Sequence, residues 1–233
     1  LLAEKSFPVS LWVFEEDLCE EMQQTRENTL YLPGVQLSPL LHPDNNLERV
    51  LAGKRIILMA VPSHVHRQVA MQMLEFLKGP IVLVSATKGI ENESLQTMSE
   101  IWHEIMPDSI DWEYAVLSGP SFAREVVKKS PSAVTVASAS REVAEEVQKL
   151  FATEYFRVYT STDVIGVEMG GALKNIIALA AGLVDGLGLG HNTRAMLMTR
   201  GLAEMSRLGT SMGADALTFL GMAGVGDLVL TCT

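Results

Sequence analysis

The chain has 233 residues, 48% of them hydrophobic and 20% charged, and its formal charge of −10 argues against a nucleic-acid binder, which presents a basic face. A small site can still be locally basic on an acidic protein, so anionic small molecules stay open as ligands. Cys19 and Cys232 lie far apart with no metal-ligand spacing, and apolar runs such as Ile176 to Val184 stop short of the ~20 residues of a membrane helix. We therefore expect a protein of the reducing cytoplasm with no disulfide framework, no metal site and no membrane insertion.

In chain order, short β-rich runs alternate with amphipathic stretches. Strands are expected at Val9–Val13, Arg55–Val61, Ile81–Ser85 and Tyr114–Leu117, with helices at about 16–28, 64–78, 92–106 and 141–152. Two of the strands are nearly continuous apolar runs, as in parallel strands covered on both faces. This alternation predicts a doubly wound, Rossmann-like α/β sheet, with further strands at Ala133–Ala137 and Phe156–Tyr159 on its far side. Pro33-Gly34 and Leu41-His42-Pro43-Asp44 read as loops. Beyond about residue 160 strand signals stop, and helices are expected at roughly 162–186, 193–211 and 214–222. The chain thus divides into a nucleotide-binding type of domain, 1–160, and an all-helical domain, 161–233.

In open α/β sheets ligands lie outside the carboxyl ends of the strands. Three expected strands end in Pro62-Ser63-His64, in Ala86-Thr87-Lys88-Gly89 and in Ser118-Gly119-Pro120-Ser121. A lysine and a glycine- and serine-rich turn at one sheet edge suit an anionic group; an ordinary loop and turn read equally well. His64 and His66 are too close in sequence to share a helix face, so they are not expected to bind a metal.

Lys174 is the one ionisable residue between Glu168 and Asp185, in a glycine- and alanine-rich stretch. On a helix it shares a face with Gly171, Asn175, Ala178 and Gly182, a face with little side-chain bulk around one amine. Either something approaches that amine closely, or the lysine snorkels out of a packed helix. Gly224-Val225-Gly226-Asp227 reads as a tight turn presenting Asp227, and no Gly-x-Gly-x-x-Gly turn precedes it.

Eight segments in order along the chain resemble the NAD(P)-dependent glycerol-3-phosphate dehydrogenases of the bacterial and cytosolic type. They are Val-Pro-Ser-His (61–64), Ala-Thr-Lys-Gly (86–89), Ser-Gly-Pro-Ser-Phe-Ala (118–123), Gly-Gly-Ala-Leu-Lys-Asn (170–175), Asp-Gly-Leu-Gly-Leu-Gly (185–190), Asn-Thr-Arg-Ala (192–195), Thr-Arg-Gly-Leu-Ala-Glu-Met (199–205) and Gly-Val-Gly-Asp-Leu-Val-Leu-Thr-Cys-Thr (224–233). The resemblance implies reversible hydride transfer between NAD(P)H and dihydroxyacetone phosphate, yielding sn-glycerol 3-phosphate for phospholipid synthesis. It implies Lys174 as general acid/base, with Lys88, Gly119, Ser121, Lys174 and Asp227 contacting substrate. Phe14, Lys88 and Ala123 match cofactor contacts. An amine acting as base needs desolvation and a neighbouring cation to hold it neutral, and Lys88 is the candidate cation. Glu15 and Glu16 after the first strand lean toward NAD over NADP. A homodimer is the family expectation. Two-domain dehydrogenases of the 6-phosphogluconate or hydroxyisobutyrate type, or a non-catalytic module of the same fold, are the weaker alternatives.

The resemblance also places a glycine-rich pyrophosphate loop before Leu1 and a Ser-Arg-Asn-Arg phosphate clamp after Thr233. On that ground the sequence is expected to be truncated at both ends, and inactive or nearly so by itself.

Overall fold

The computed structural model describes residues 1–233. The largest sheet is built from β5 (Ile56–Met59), β6 (Ile81–Ser85), β7 (Trp112–Ser118), β8 (Ser132–Ala137) and β9 (Phe156–Ser161), in that spatial order. β5, β6 and β7 are parallel, β8 runs antiparallel to β7, and β9 is parallel to β8. Every residue of β6 is buried, because both faces of the sheet are covered. Leu83 points into a core with Ile57, Val69, Met73 and Trp102, beneath α3 (Ser63–Leu74) and α4 (Met98–Ile105). Val82 and Val84 point the other way, toward Val134, Val136, Val147 and Phe151 under α6 (Arg141–Phe151). The period-2 alternation of a strand divides one apolar run between two cores.

Ahead of this sheet, β1 (Val9–Trp12) pairs in parallel with β4 (Leu41–Asp44), and α1 (Glu16–Thr25) packs on them through Leu18, Cys19 and Met22. A hairpin of β2 (Glu27–Asn28) and β3 (Leu32–Gln36) lies between, and α2 (Leu47–Leu51) follows. Two segments read as loops are therefore strands. Pro33 and Gly34 lie within β3, and Leu41–Asp44 is β4 itself. Pro43 is tolerated because β4 bonds a single partner, to which it supplies the carbonyls of Leu40 and Asp44; a proline on an edge strand forfeits no ladder bond.

Helix α4 begins at Met98, six residues later than the hydrophobic pattern suggests. Thr97 forms a capping box with Glu100, and Leu95 takes a left-handed φ of 60° just upstream, which no helix accommodates. Residues 86–97 are thus a loop, clamped where Glu91 meets Arg67 at 2.8 Å.

The rest is helical. α7 (Val164–Gly186) is long and apolar enough to span a membrane by length and composition, yet half of its most apolar window is buried against protein. α8 (Gly190–Ser211) packs along it, and Gly201 lets Ile177 approach so closely that a Cβ there would lie 2.6 Å from its Cδ1. Asp163 caps α7 by accepting from the Gly166 N–H at 2.8 Å, and its other oxygen accepts from the Thr218 hydroxyl at 2.6 Å. Residues 214–222 do not form an α-helix. A 3-10 turn (Ala216–Leu220) passes into a π-helical turn (Met222–Gly226) and then α9 (Asp227–Thr231).

Candidate active site

β5, β6 and β7 are parallel, so the segments that follow them emerge at one edge of the sheet. Lys88 comes from the loop after β6, and Gly119 and Ser121 from the turn after β7. Both glycines at this edge are required by conformation. Gly89 has φ +141° with its Cβ position 2.4 Å from Ser63 Oγ, and Gly119 has φ +143° with its Cβ position 2.9 Å from the Val134 backbone.

α7 carries Lys174 to the same place. Gly170 and Gly171 strip the helix of side chains where it meets the π-helical turn and the end of β7. A Cβ on Gly170 would sit 2.4 Å from the Ala223 carbonyl oxygen, and one on Gly171 2.8 Å from Ser118 Oγ and 3.5 Å from Lys88 Cγ. Asp227 enters from the opposite side, at the first position of α9. Its predicted tight turn is in fact the π-helical turn leading straight into that helix, a rare form frequently found at functional sites.

The three charges converge. Lys174 Nζ donates to Asp227 Oδ1 at 2.6 Å, and Lys88 Nζ donates to Asp227 Oδ2 at 2.5 Å. Asp227 is 1% exposed and Lys174 5%. The snorkelling alternative for Lys174 is thereby removed: its amine points inward and is paired. Lys174 also donates to Thr231 Oγ1 at 2.9 Å, whose own proton goes to the Asp227 carbonyl at 2.7 Å. Two of its three N–H donors are thus engaged. Lys88 further donates to the Gly119 carbonyl at 3.1 Å, which also accepts from the Ser121 hydroxyl at 3.1 Å. Burial lowers the Lys88 pKa below that of a free lysine; the Asp227 carboxylate opposes this, and the nearby Lys174 ammonium adds to it.

Five of the sequence candidates, Lys88, Gly119, Ser121, Lys174 and Asp227, therefore meet in one cluster. The other two stand apart from it. Phe14 follows β1, in the smaller parallel pair, and is 79% exposed. Ala123 is exposed at the first position of α5 (Ala123–Val127). The low-bulk face drawn around Lys174 also divides, since Asn175 and Gly182 are exposed while Gly171 is buried. Two residues were missed. Thr231 lies four positions after Asp227, a helical spacing that would have found it. Ser118 Oγ is buried with no hydrogen-bond partner beside Gly171; the sequence marks it as the first residue of the Ser118–Ser121 turn but gives it no role of its own.

Residues 1–144 match the family described as NAD-dependent glycerol-3-phosphate dehydrogenase N-terminus, and residues 163–233 match its C-terminus. The chain belongs to the NAD(P)-dependent glycerol-3-phosphate dehydrogenase family. A glycerol-3-phosphate dehydrogenase [NAD(P)+] of Syntrophobacter fumaroxidans is 55% identical over the whole chain, which spans 68% of that relative. One of Geobacter metallireducens is 56% identical, with 70% of its length spanned. The crystal structure of glycerol-3-phosphate dehydrogenase from Coxiella burnetii superposes with a TM-score of 0.94 at 39% identity, covering all of this chain and 70% of that one. The Saccharomyces cerevisiae enzyme gives a TM-score of 0.82 at 30% identity, covering 96% of this chain and 68% of that one. The architecture is thus a Rossmann-like α/β domain followed by the dehydrogenase's helical domain, and the family is an oxidoreductase one that uses NAD or NADP and a small-molecule substrate.

Proposed function

We propose that Lys174 is the general acid/base of a reversible reduction of dihydroxyacetone phosphate to sn-glycerol 3-phosphate. The observation that carries this is the buried array of two amines on one carboxylate, Lys174–Asp227–Lys88. The nicotinamide supplies the hydride when bound. In the reducing direction the Lys174 ammonium protonates the forming alkoxide oxygen, and in the oxidising direction the amine removes the hydroxyl proton. Asp227 and Thr231 hold the Lys174 amine in place through the transfer. Lys88 adds a fixed positive charge beside an oxygen that becomes negative. Gly119 and Ser121 line the substrate's side of the cluster, close enough to the Lys88 amine to share the Gly119 carbonyl.

For the cofactor, the exposed Phe14 ring at the carboxyl end of β1 offers an adenosine a flat apolar face. Ala123 opens α5 on the same edge as Lys88, which we assign to cofactor and substrate alike. Glu15 and Glu16 stand at the start of α1, where carboxylates accept ribose hydroxyls and repel a 2′-phosphate, so we assign NAD as the preferred cofactor. The nucleotide domain is assigned to 1–160 and the helical domain to 161–233. We further assign a cytoplasmic homodimer, without membrane insertion, that feeds phospholipid synthesis.

The test is NADH oxidation with dihydroxyacetone phosphate by a full-length family protein carrying this sequence and by its Lys174→Ala variant. Loss of the acid/base group lowers kcat by roughly 100- to 10,000-fold. A variant that keeps most of the wild-type rate refutes the assignment.

A further inference from the structure

Glu168 is the one polar side chain between Val164 and Leu173, an otherwise apolar first half of α7. It is 6% exposed and makes no hydrogen bond to the Lys174 cluster, yet three donors from the nucleotide domain converge on it. The Ser99 N–H reaches Oε1 at 2.9 Å, the Ser99 hydroxyl reaches Oε2 at 2.6 Å, and the Tyr114 hydroxyl reaches Oε1 at 2.6 Å. Ser99 lies in the first turn of α4 and Tyr114 in the middle of β7, so one carboxylate joins the helical domain to two elements of the sheet domain. Burial raises the Glu168 pKa above the ordinary carboxylate range, against the pull of those donors.

An apolar side chain of similar size would fill this position without the desolvation cost of a carboxylate. What the carboxylate adds is direction. Apolar contact is non-directional, whereas three hydrogen bonds from two elements fix both the rotation and the height of a helix. That control matters here, because at Gly170 and Gly171, where α7 meets the Ala223 carbonyl and Ser118, the helix presents bare backbone and no side chain. Lys174 follows Glu168 by six residues, about 9 Å along the axis.

We propose that Glu168 is a positioning residue for the reaction, setting through Ser99 and Tyr114 where α7 delivers the Lys174 amine relative to Asp227 and Lys88. This rests on Lys174 being the proton-transfer group. A catalytic group displaced by about 1 Å costs on the order of 100-fold in rate, so a loosened helix shows in kcat before it shows in cofactor binding.

The experiment compares Glu168→Ala, Glu168→Gln and Tyr114→Phe in a full-length family protein carrying this sequence, with kcat counted per NADH-binding site so that unfolded molecules do not contribute. Glu168→Ala is expected to lower kcat roughly 10- to 100-fold, with KM for NADH unchanged. Glu168→Gln, which keeps an acceptor for Tyr114 and Ser99, is expected to recover most of that loss. Tyr114→Phe removes a single donor and is expected to give a smaller fall in the same direction. If Glu168→Ala and Tyr114→Phe lower Tm but leave kcat per site at the wild-type value, Glu168 is structural only and the proposal fails. If Glu168→Ala does not fold, an unchanged kcat in Tyr114→Phe has the same force. Lys174→Ala is measured alongside: a wild-type rate there overturns the proton-transfer assignment itself, a different failure from that of the positioning role.

Discussion

His66 lies on α3 fully buried, and its hydrogen bonding fixes its tautomer. The Thr87 hydroxyl donates to the Val61 carbonyl at 2.9 Å, so it can only accept from His66 Nδ1, 3.1 Å away. That leaves Nε2 as a lone pair without a partner, in a site where a second N–H would find no acceptor. Burial accordingly pushes the His66 pKa down to about 4. The unfolded chain, titrating near ~6.5, then binds more protons than the folded one through this window, and stability falls as pH drops from 6.5 toward 4. The loss attributable to His66 is about 3 kcal/mol. Urea denaturation at pH 7 and pH 4 tests it: wild type should lose about that much more than His66→Gln, and equal losses would rule the effect out. The residue immediately after Thr87 is Lys88, so protonation of His66 acts on the support of the active-site loop.

At the scale of elements, α7 shows that one substitution can have opposite signs at two places on a helix. Gly170 faces the Ala223 carbonyl, with its Cβ position 2.4 Å from that oxygen, while Gly182 is exposed with nothing within 4 Å. Gly170→Ala is expected to destabilise by ~1–3 kcal/mol through overpacking, and Gly182→Ala to stabilise by up to ~1 kcal/mol through helix propensity. Urea unfolding of both variants decides it, and a neutral Gly170→Ala would mean that α7 and the π-helical turn do not pack as described. The sequence makes α7 itself easy to read, along with the odd lysine it carries, because a charge in a glycine-rich apolar run has few uses. It does not reveal why the glycines are there, since their neighbours Ala223 and Ser118 are distant in sequence. The same limit hid β4. Pro43 signals a loop locally, and only the absence of a second partner strand makes it acceptable. Residues 92–97 misled in the opposite way: their pattern continues that of α4, but Leu95 and the Thr97 capping box set the boundary.

Across the whole molecule the two parts of the nucleotide domain differ in how deeply they are held. β6 is buried along its full length between β5 and β7, whereas no residue of β1 is fully buried and β4 is its only partner strand. Hydrogen exchange should therefore be slowest at the amides of Val82, Leu83 and Val84 and faster by orders of magnitude in β1. Equal protection in the two would show that the β1–β4 pair unfolds only with the whole chain. The strand–helix alternation, and the change to helices near residue 160, were legible because each core is built from periodic runs. The division of the strands among three sheets was not, because pairing depends on neighbours that periodicity does not encode.

The shared carboxylate has one more consequence. Two lysines on one carboxylate give the cluster a formal charge of +1, partly enclosed in a molecule whose formal charge is −10. A phosphorylated substrate or a dinucleotide approaching from afar meets a repulsive field, and meets attraction only in the last few ångströms, where surrounding low-dielectric protein concentrates the field of that charge. Added salt screens the distant repulsion while barely reaching the enclosed pair. Capture of anions by this protein is thus expected to be helped by ionic strength, the reverse of the behaviour of a protein that draws them in with a basic surface; a KM for NADH that rises with added salt contradicts this.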